Sequence, residues 1–172
     1  MRSLRFAALL SAALLLPALG GTAEPRSLEL HSLHSGETLT VRWGTDGKLD
    51  AVALGRLKHL LRDRRNGDEL DMDAGLFDLL ADLAEAAHVA PRYEVISGYR
   101  SPESNAKMHA RSSGVSEKSL HMQGRAIDVR LRGVDTQRLA TLARALQRGG
   151  VGYYRGDGFV HVDTGRVRHW DG

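Results

Sequence analysis

The sequence of 172 residues contains no cysteine. This absence excludes a disulfide framework, a thiolate metal site and the cysteine-linked lipid of a lipoprotein. The protein must therefore be held together by its own hydrophobic core. Any metal site must be built from His, Asp and Glu side chains.

The sequence also lacks an apolar run long enough to cross a membrane. The N-terminal apolar stretch, residues 6–19, falls short of the roughly 20 residues that a spanning helix needs. Arg2 and Arg5 precede it, and Gly21 and Ala23 are spaced as the small residues of a cleavage site. This order is typical of a secretory signal peptide cleaved after Ala23, with an uncleaved anchor as the alternative. Because the two arginines are not adjacent, twin-arginine export is not indicated.

An excess of charge of one sign is also missing. Removing residues 1–23 leaves 22 Lys and Arg against 21 Asp and Glu, so the formal charge falls from +3 to +1. The basic residues are spread along the chain and form no stripe with aromatics, which disfavours nucleic-acid binding. We expect residues 24–172 to be a single monomeric domain, exported to the periplasm or cell-wall space, without a membrane span.

Hydrophobic periodicity predicts an α+β protein. The predicted strands are 28–33, 38–43, 93–97, 126–131, 151–154 and 159–164, and the predicted helices are 49–61, 73–87 and 136–147. The first two strands form a hairpin, and Asp73 caps the second helix. We expect the later strands to form a small antiparallel sheet with helices packed on one face.

Residues 98–125 form a long polar connection between two predicted strands. Most connections in compact domains are far shorter, and long ones are usually functional or disordered. This connection ends at His121, close to Asp128 in the strand that follows. The apolar residues of that strand share one face, so Asp128 points the opposite way. A carboxylate there suits the floor of a pocket, although an ordinary exposed position is the alternative.

The strand 159–164 carries a second pair of polar residues. Strand alternation places His161 and Asp163 on one face and Val160 and Val162 on the other. If the valines pack in the core, the polar face is left for a cleft. Two imidazoles and one carboxylate form the ligand set of a catalytic zinc site, which keeps a position open for water. Non-haem iron uses the same set, but zinc needs no redox supply and suits an exported protein.

Three stretches carry recognisable motifs. They are Ser97-Gly-Tyr-Arg-Ser-Pro-Glu-Ser-Asn105, Ser119-Leu-His-Met-Gln-Gly-Arg-Ala-Ile-Asp-Val129, and Val151-Gly-Tyr-Tyr154 with Phe159-Val-His-Val-Asp-Thr-Gly165. Together they resemble the D-Ala-D-Ala metallopeptidase family, and within it the murein endopeptidase K type. The family includes zinc D,D-carboxypeptidases, vancomycin-resistance dipeptidases and murein endopeptidases, and the hedgehog signalling domain shares its fold. The resemblance spans most of residues 73–170.

The resemblance implies a site on the open face of the sheet. It assigns His121, Asp128 and His161 as ligands of one zinc ion per chain. It also places Arg100 near the substrate, where a guanidinium could bind a carboxylate or stabilise an oxyanion. The structural alternative for Arg100 is to hold the long loop in place.

Other polar residues are candidates for binding the substrate. Ser97 and Ser119 could hydrogen-bond the substrate or orient a ligand, and a structural role is the alternative for Ser119. His109, in the long connection, is a candidate for lining the cleft.

The resemblance does not identify a general base. Relatives carry either a glutamate three residues before the last histidine ligand or a histidine two residues before it. This chain has Gly158 and Phe159 at those positions. Asp163 is the preferred candidate for taking a proton from zinc-bound water, with a hydrogen bond that orients a ligand as its alternative role. Asp157, in the preceding turn, is a weaker candidate.

These observations predict a zinc-dependent murein peptidase, and specifically an endopeptidase that hydrolyses peptide cross-links of peptidoglycan. One alternative is a D,D- or L,D-carboxypeptidase of the same family. The other is a non-hydrolytic zinc-binding module of the cell wall.

Overall fold

The computed structural model describes residues 26–43, 48–112 and 114–172. The elements are β1 Arg26–Ser32, β2 Thr38–Trp43, α1 Ala51–Leu60, α2 Ala74–Ala87, β3 Arg92–Ser97, α3 Pro102–His109, a 3₁₀ helix Leu120–Gln123, β4 Ala126–Leu131, α4 Thr136–Leu146, β5 Gly150–Tyr154, β6 Phe159–Asp163 and β7 Arg168–Asp171. The predicted signal peptide lies outside the described residues. Within the described ranges, no helix is long and apolar enough to span a bilayer.

The described strands form one mixed sheet of seven strands in the order β2-β1-β3-β4-β6-β5-β7. The pairs β1 with β3 and β5 with β7 are parallel, and the remaining neighbours are antiparallel. The expectation of a small antiparallel sheet therefore needs correction. The N-terminal hairpin joins the sheet through β1, because α1 and α2 carry the chain back to start β3 in the same direction. The unpredicted strand β7 adds the opposite edge.

The hydrophobic core lies between one face of the sheet and the helices α1, α2 and α4. Strand alternation supplies fully buried residues such as Leu30, Ile127 and Val160. α2 begins after Asp73, whose side chain accepts a hydrogen bond from the Gly75 backbone N–H at 2.9 Å, as predicted. Because apolar and polar residues alternate along β4 and β6, their polar side chains face away from the helices.

The long connection contains two elements that the sequence analysis did not predict. Ser101 caps α3, and its Oγ accepts a hydrogen bond from the Ser104 N–H at 3.2 Å, with Pro102 in the first turn. A serine followed by proline is a recognised helix start, so this helix was identifiable from sequence. The 3₁₀ helix that follows has no such cap, since the Ser119 side chain makes no capping hydrogen bond.

Candidate metal centre

A polar row of opposed residues crosses the sheet on the face away from the core. Ser97 on β3 is paired with Asp128 on β4, and Asp128 is paired with His161 on β6. His161 is paired with Gly152 on β5, which is paired with Trp170 on β7. Directly opposed residues of neighbouring strands point to the same face. The polar row therefore brings together residues that are far apart in sequence.

His121 reaches the polar row from the 3₁₀ helix that precedes β4. The helix ends at Gly124, whose φ of 66° lies in the left-handed region. A Cβ at Gly124 would also clash with the carbonyl oxygen of Asp71, so glycine is required there. Nδ1 of His121 lies 2.7 Å from the carbonyl oxygen of Gly98. Because a carbonyl only accepts, Nδ1 carries the proton and Nε2 is left as a free acceptor.

His161 is oriented through its other ring nitrogen. Nε2 of His161 lies 3.0 Å from Oδ2 of Asp163 and donates to that carboxylate. In the neutral imidazole Nδ1 is therefore left without a proton and free to bind a metal ion, and it lies 2.9 Å from Oδ1 of Asp128. The two imidazoles thus present different nitrogens to the same point.

Three ligand atoms converge at that point. Nε2 of His121 lies 3.1 Å from Nδ1 of His161, and Oδ1 of Asp128 lies 3.3 Å and 2.9 Å from these two nitrogens, respectively. Ligands at about 2.0–2.1 Å from a tetrahedral zinc ion lie roughly 3.3 Å from one another. The facing lone pairs of the two nitrogens also require a positive charge between them. The three residues therefore fit a single zinc ion.

The burial and charges of the three residues also favour a bound cation. His121, Asp128 and His161 are only 3%, 6% and 7% exposed. Burial favours a higher pKa for Asp128, but the two histidines, when protonated, hold this pKa well below its usual range through their charge and hydrogen bonds. Burial favours a lower pKa for His161, but the hydrogen bonds to Asp128 and Asp163 raise it. The buried carboxylate thus attracts positive charge, whether a proton or a metal ion carries it.

Asp163 is fully buried, and its carboxylate is saturated with donors. Oδ1 accepts hydrogen bonds from the backbone N–H groups of Gly150 at 3.0 Å and Gly165 at 2.8 Å. The guanidinium of Arg168 donates to Oδ1 at 3.0 Å and to Oδ2 at 2.7 Å. Gly150 makes room for this pair, since a Cβ there would clash with both side chains.

This environment favours one of the two roles considered for Asp163. Burial favours a higher pKa for Asp163, but the hydrogen bonds from His161 and Arg168 hold this pKa well below its usual range. Asp163 is not among the described residues that line the cleft. The geometry therefore favours a carboxylate that orients His161 over one that takes a proton from water. Sequence reasoning missed Arg168, because no local pattern links it to Asp163.

The cleft in front of the three ligand atoms has a volume of about 560 Å³. Aromatic side chains form one wall, where the rings of Tyr154 and Phe159 stack with centroids 4.6 Å apart. Trp170 lies 5.2 Å from the His161 ring and donates from Nε1 to the Tyr154 hydroxyl at 3.1 Å. A Cβ at Gly152 would clash with the indole, so this glycine makes room for Trp170. Sequence reasoning assigned no role to Trp170.

Three of the four predicted substrate-binding residues line the cleft, namely Arg100, Ser97 and Ser119. The structure does not bring His109 into it. Nδ1 of His109 lies 2.6 Å from the carbonyl oxygen of Val115, and Nε2 lies 3.2 Å from the Glu117 carboxylate.

Arg100 is nearly buried at 8% exposure. Nη1 donates to Oδ1 of Asn105 at 3.2 Å, and the buried Nε has no hydrogen-bond partner among the described residues. Burial lowers the pKa of Arg100, and the negative charge of Asp128 opposes this effect. The guanidinium is thus held in the wall of the cleft, close to Asp128.

Asp128 and Asp157 are the two carboxylates among the described residues that line the cleft. Asp157 lies in the turn between β5 and β6, and Arg130 donates to its carbonyl oxygen at 3.0 Å. Gly158, with φ of 66°, and Phe159, whose ring is stacked, offer no proton acceptor at the two positions considered in the sequence analysis. Asp157 is therefore the candidate proton acceptor that lines the cleft.

A mixed α/β fold with two imidazoles and one carboxylate at the floor of an open cleft defines a metal centre of the catalytic class. The chain belongs to the family of the peptidoglycan L,D-endopeptidase MepK, whose family model matches residues 20–170. The predicted resemblance to the murein endopeptidase K type of D-Ala-D-Ala metallopeptidases is confirmed.

Individual relatives agree with the family model. The chain is 38% identical over 149 residues to the peptidoglycan L,D-endopeptidase MepK of Escherichia coli (strain K12), and the match covers 87% of this chain and 82% of that protein. The protein of the same name from Shigella flexneri gives the same values. The probable peptidoglycan L,D-endopeptidase MepK of Haemophilus influenzae is 36% identical over 156 residues, with coverages of 90% and 84%. No solved structure matches the chain significantly.

Proposed function

We propose that this protein is a zinc-dependent endopeptidase that hydrolyses peptide cross-links of peptidoglycan, and that L,D cross-links are the bonds it cleaves. The family and the names of its relatives support both the reaction and the L,D specificity, which the sequence motifs alone left open against D,D. The ligand set of two imidazoles and one carboxylate supports zinc, with one ion per chain.

One observation carries this proposal. Nε2 of His121, Oδ1 of Asp128 and Nδ1 of His161 converge at the floor of an open cleft. These three residues would hold a zinc ion and leave it open to water. Such an ion would supply an activated water near neutral pH and would polarise the amide carbonyl.

The other residues of the cleft then have distinct tasks. Arg100 donates to the oxyanion that develops on the amide carbonyl, since its guanidinium lines the cleft close to Asp128. Asp157 takes the proton of the attacking water and passes it to the leaving amine. Asp163 holds the His161 ring in the tautomer that keeps Nδ1 free. Ser97 and Ser119 are available to hydrogen-bond the peptide.

The compartment follows from the substrate. Peptidoglycan lies outside the cytoplasmic membrane, so the enzyme must be exported to reach it. The basic, apolar and small-residue order of residues 1–23 supports cleavage by signal peptidase after Ala23. We propose that residues 24–172 act in the periplasm as a monomeric domain.

A non-hydrolytic zinc-binding module is the second candidate. It is favoured by Gly158 and Phe159, which cannot act as a base, and by the saturated carboxylate of Asp163. A carboxypeptidase of the same family is distinguished by its product, because it would release a terminal residue and leave cross-links intact.

Digestion of purified muropeptides separates these candidates. Zinc-loaded protein is expected to convert L,D-cross-linked dimers to monomers, as scored by mass spectrometry. His121→Ala is expected to lose both this activity and bound zinc, while His109→Ala, which changes a histidine outside the cleft, keeps both. Wild-type protein that binds zinc but cleaves no cross-link would support the non-hydrolytic module instead.

A further inference from the structure

A side pocket opens next to the metal cleft. It has a volume of about 160 Å³ and is formed by the end of β3 and the loop that follows α1. Arg64, Arg65, Ile96 and Ser97 line both the side pocket and the cleft. Ser97 is also the residue paired with Asp128 in the polar row. A ligand that extends from the metal site past Ser97 therefore reaches the side pocket.

Arg64 lies in this wall and forms no ion pair with a carboxylate among the described residues. Nη1 of Arg64 lies 3.2 Å from Nδ1 of His34, whose Nε2 lies 2.8 Å from the carbonyl oxygen of Ile96. Since Nε2 must donate to that carbonyl, Nδ1 accepts from Arg64 and the imidazole is neutral. Burial and the charge of Arg64 lower the pKa of His34, which keeps it neutral. The histidine fixes the direction of the guanidinium without balancing its charge, and Asp63 is the acidic group whose charge reaches it.

Arg65 is compensated only weakly. Its guanidinium lies 4.0 Å from Oδ1 of Asp63. That carboxylate already accepts hydrogen bonds from the Ser101 N–H and hydroxyl, both at 2.8 Å, and from the Arg65 N–H at 2.9 Å. Arg65 is also close enough to Arg100 for its charge to lower the pKa of that group. Three guanidinium groups thus line one region, and Asp63 and Asp128 are the acidic groups whose charges reach them.

The charge of a fourth arginine in the same pocket is balanced by a carboxylate. Arg62 also lines the side pocket, but it donates to the Glu37 carboxylate at 3.0 Å and to the carbonyl oxygen of His59. The charge of Arg62 is therefore used within the protein. The side chains of Arg64 and Arg65 donate no such hydrogen bond to a carboxylate among the described residues.

We propose that Arg64 and Arg65 form a subsite for a free carboxylate of an acidic peptide substrate, joined to the cleaved amide by a segment that passes over Ser97. The proposal rests on the proposed function, because the peptide is held at the metal cleft. Guanidinium groups match carboxylates through paired hydrogen bonds, and a pocket that already holds one side chain in place reduces the entropic cost of binding. The site therefore selects stem peptides with free carboxylates over amidated ones.

Equilibrium binding tests this subsite without requiring turnover. The probes are two murein peptide dimers with a reduced, uncleavable amide at the cross-link, one with free carboxylates and one with carboxamides. Isothermal titration of zinc-loaded wild-type protein is expected to show roughly tenfold tighter binding of the carboxylate form. Arg64→Gln and Arg65→Gln are each expected to lose most of this preference. Arg132→Gln, which removes an arginine paired with Glu29 and Glu94 outside the cleft, is expected to keep it.

The results distinguish the subsite from the enzymatic activity. Equal binding of the two probes by wild-type protein, or an unchanged preference in both Arg64→Gln and Arg65→Gln, would overturn the subsite even if the protein cleaves cross-links. A preference that depends on these arginines would support the subsite even if no murein peptide is cleaved. Thermal unfolding of each variant checks the fold, and His34→Ala is expected to weaken carboxylate binding by a few-fold because Arg64 loses its positioning partner.

Discussion

The two sides of the metal cleft hold arginines in opposite electrostatic situations. On the β7 side, Arg168 makes two hydrogen bonds to the buried carboxylate of Asp163, which in turn holds His161. On the β3 side, Arg64 is held by a neutral histidine, and Arg65 lies at the limit of an ion pair. A charge balanced inside the protein fixes the geometry of a ligand. A charge left unbalanced at a cleft is available to the substrate.

Removal of Arg168, the arginine whose charge is balanced inside the protein, is expected to have the largest effect on stability. Arg168→Leu removes both guanidinium hydrogen bonds from the fully buried carboxylate of Asp163, and loss of one partner of a buried pair costs about 3 kcal/mol or more. The free energy of unfolding, measured by urea denaturation of metal-free protein, should fall by about this amount. Arg132→Leu, on the surface, should change it by less than roughly 0.5 kcal/mol. A small loss in Arg168→Leu would mean that the pair is not a structural unit.

Replacing Asp157 or Asp163 by asparagine separates a residue that takes part in the reaction from one that orients a metal ligand. Asp157→Asn should lower kcat roughly a hundredfold or more while zinc affinity stays unchanged, because it removes the proton acceptor. Asp163→Asn should instead lower zinc affinity about 10–100-fold, because it weakens the partner that orients His161. Zinc affinity is measured by competition with a chelator, and kcat at saturating zinc. A variant of Asp163 that keeps normal zinc affinity but loses turnover would restore it as the general base.

On the unbalanced side, removing an arginine should cost activity without costing stability. Arg100→Gln is expected to lower kcat about a hundredfold, as for loss of one oxyanion donor. Because Arg100 is buried with an unpaired Nε, its replacement by a neutral side chain should leave the free energy of unfolding unchanged or higher. Steady-state kinetics on L,D-cross-linked dimers and urea denaturation measure both. Destabilisation comparable to that of Arg168→Leu would erase the difference between the two sides.

The parts of the site that sequence could predict are those governed by local rules. Alternation along β4 and β6 placed Asp128, His161 and Asp163 on one face, opposite the valines. The resemblance added His121 and Arg100, which lie in the long connection and follow no periodic pattern. All five lie in or beside the cleft in the structure.

The parts that could not be predicted depend on which strands become neighbours. Pairing of β5 with β7 brings Trp170 beside Gly152 and Arg168 beside Gly150. No local pattern in the short segment Arg168–Asp171 marks it as a strand, and long-range pairing is not encoded in its own residues. The same holds for the N-terminal hairpin, whose strands were predicted but whose place beside β3 was not. Saturation of Asp163, which changes its expected role, follows from these pairings.

The smallest expected effect concerns the carboxylate that the β3 side does possess. Asp63 is fully buried, yet it is bound by Ser101 and a backbone N–H rather than by a well-placed guanidinium. Burial favours a higher pKa for Asp63, but the hydrogen bonds from Ser104, Arg65 and Ser101 outweigh it and lower this pKa. A lowered pKa in the folded state means that ionised Asp63 contributes stability above the unfolded pKa of about 3.9. This contribution is lost as the pH falls through the folded-state pKa.

Asp63→Asn isolates this contribution from the other buried carboxylates. At pH 7 the variant should be about 1–3 kcal/mol less stable than wild type, since charge-assisted hydrogen bonds are replaced by neutral ones. The difference should shrink as the pH falls below about 3.9, because protonation of Asp63 makes the wild type resemble the variant. Urea denaturation of metal-free protein at several pH values measures it, and a difference that stays constant would mean that Asp63 does not act as a charge. The stability difference between wild type and Asp63→Asn is expected to shrink at low pH, and Asp63→Asn is expected to keep its binding of the carboxylate probe at pH 7. Both results together would mean that Asp63 holds the loop in place and leaves the charge of Arg65 for the substrate.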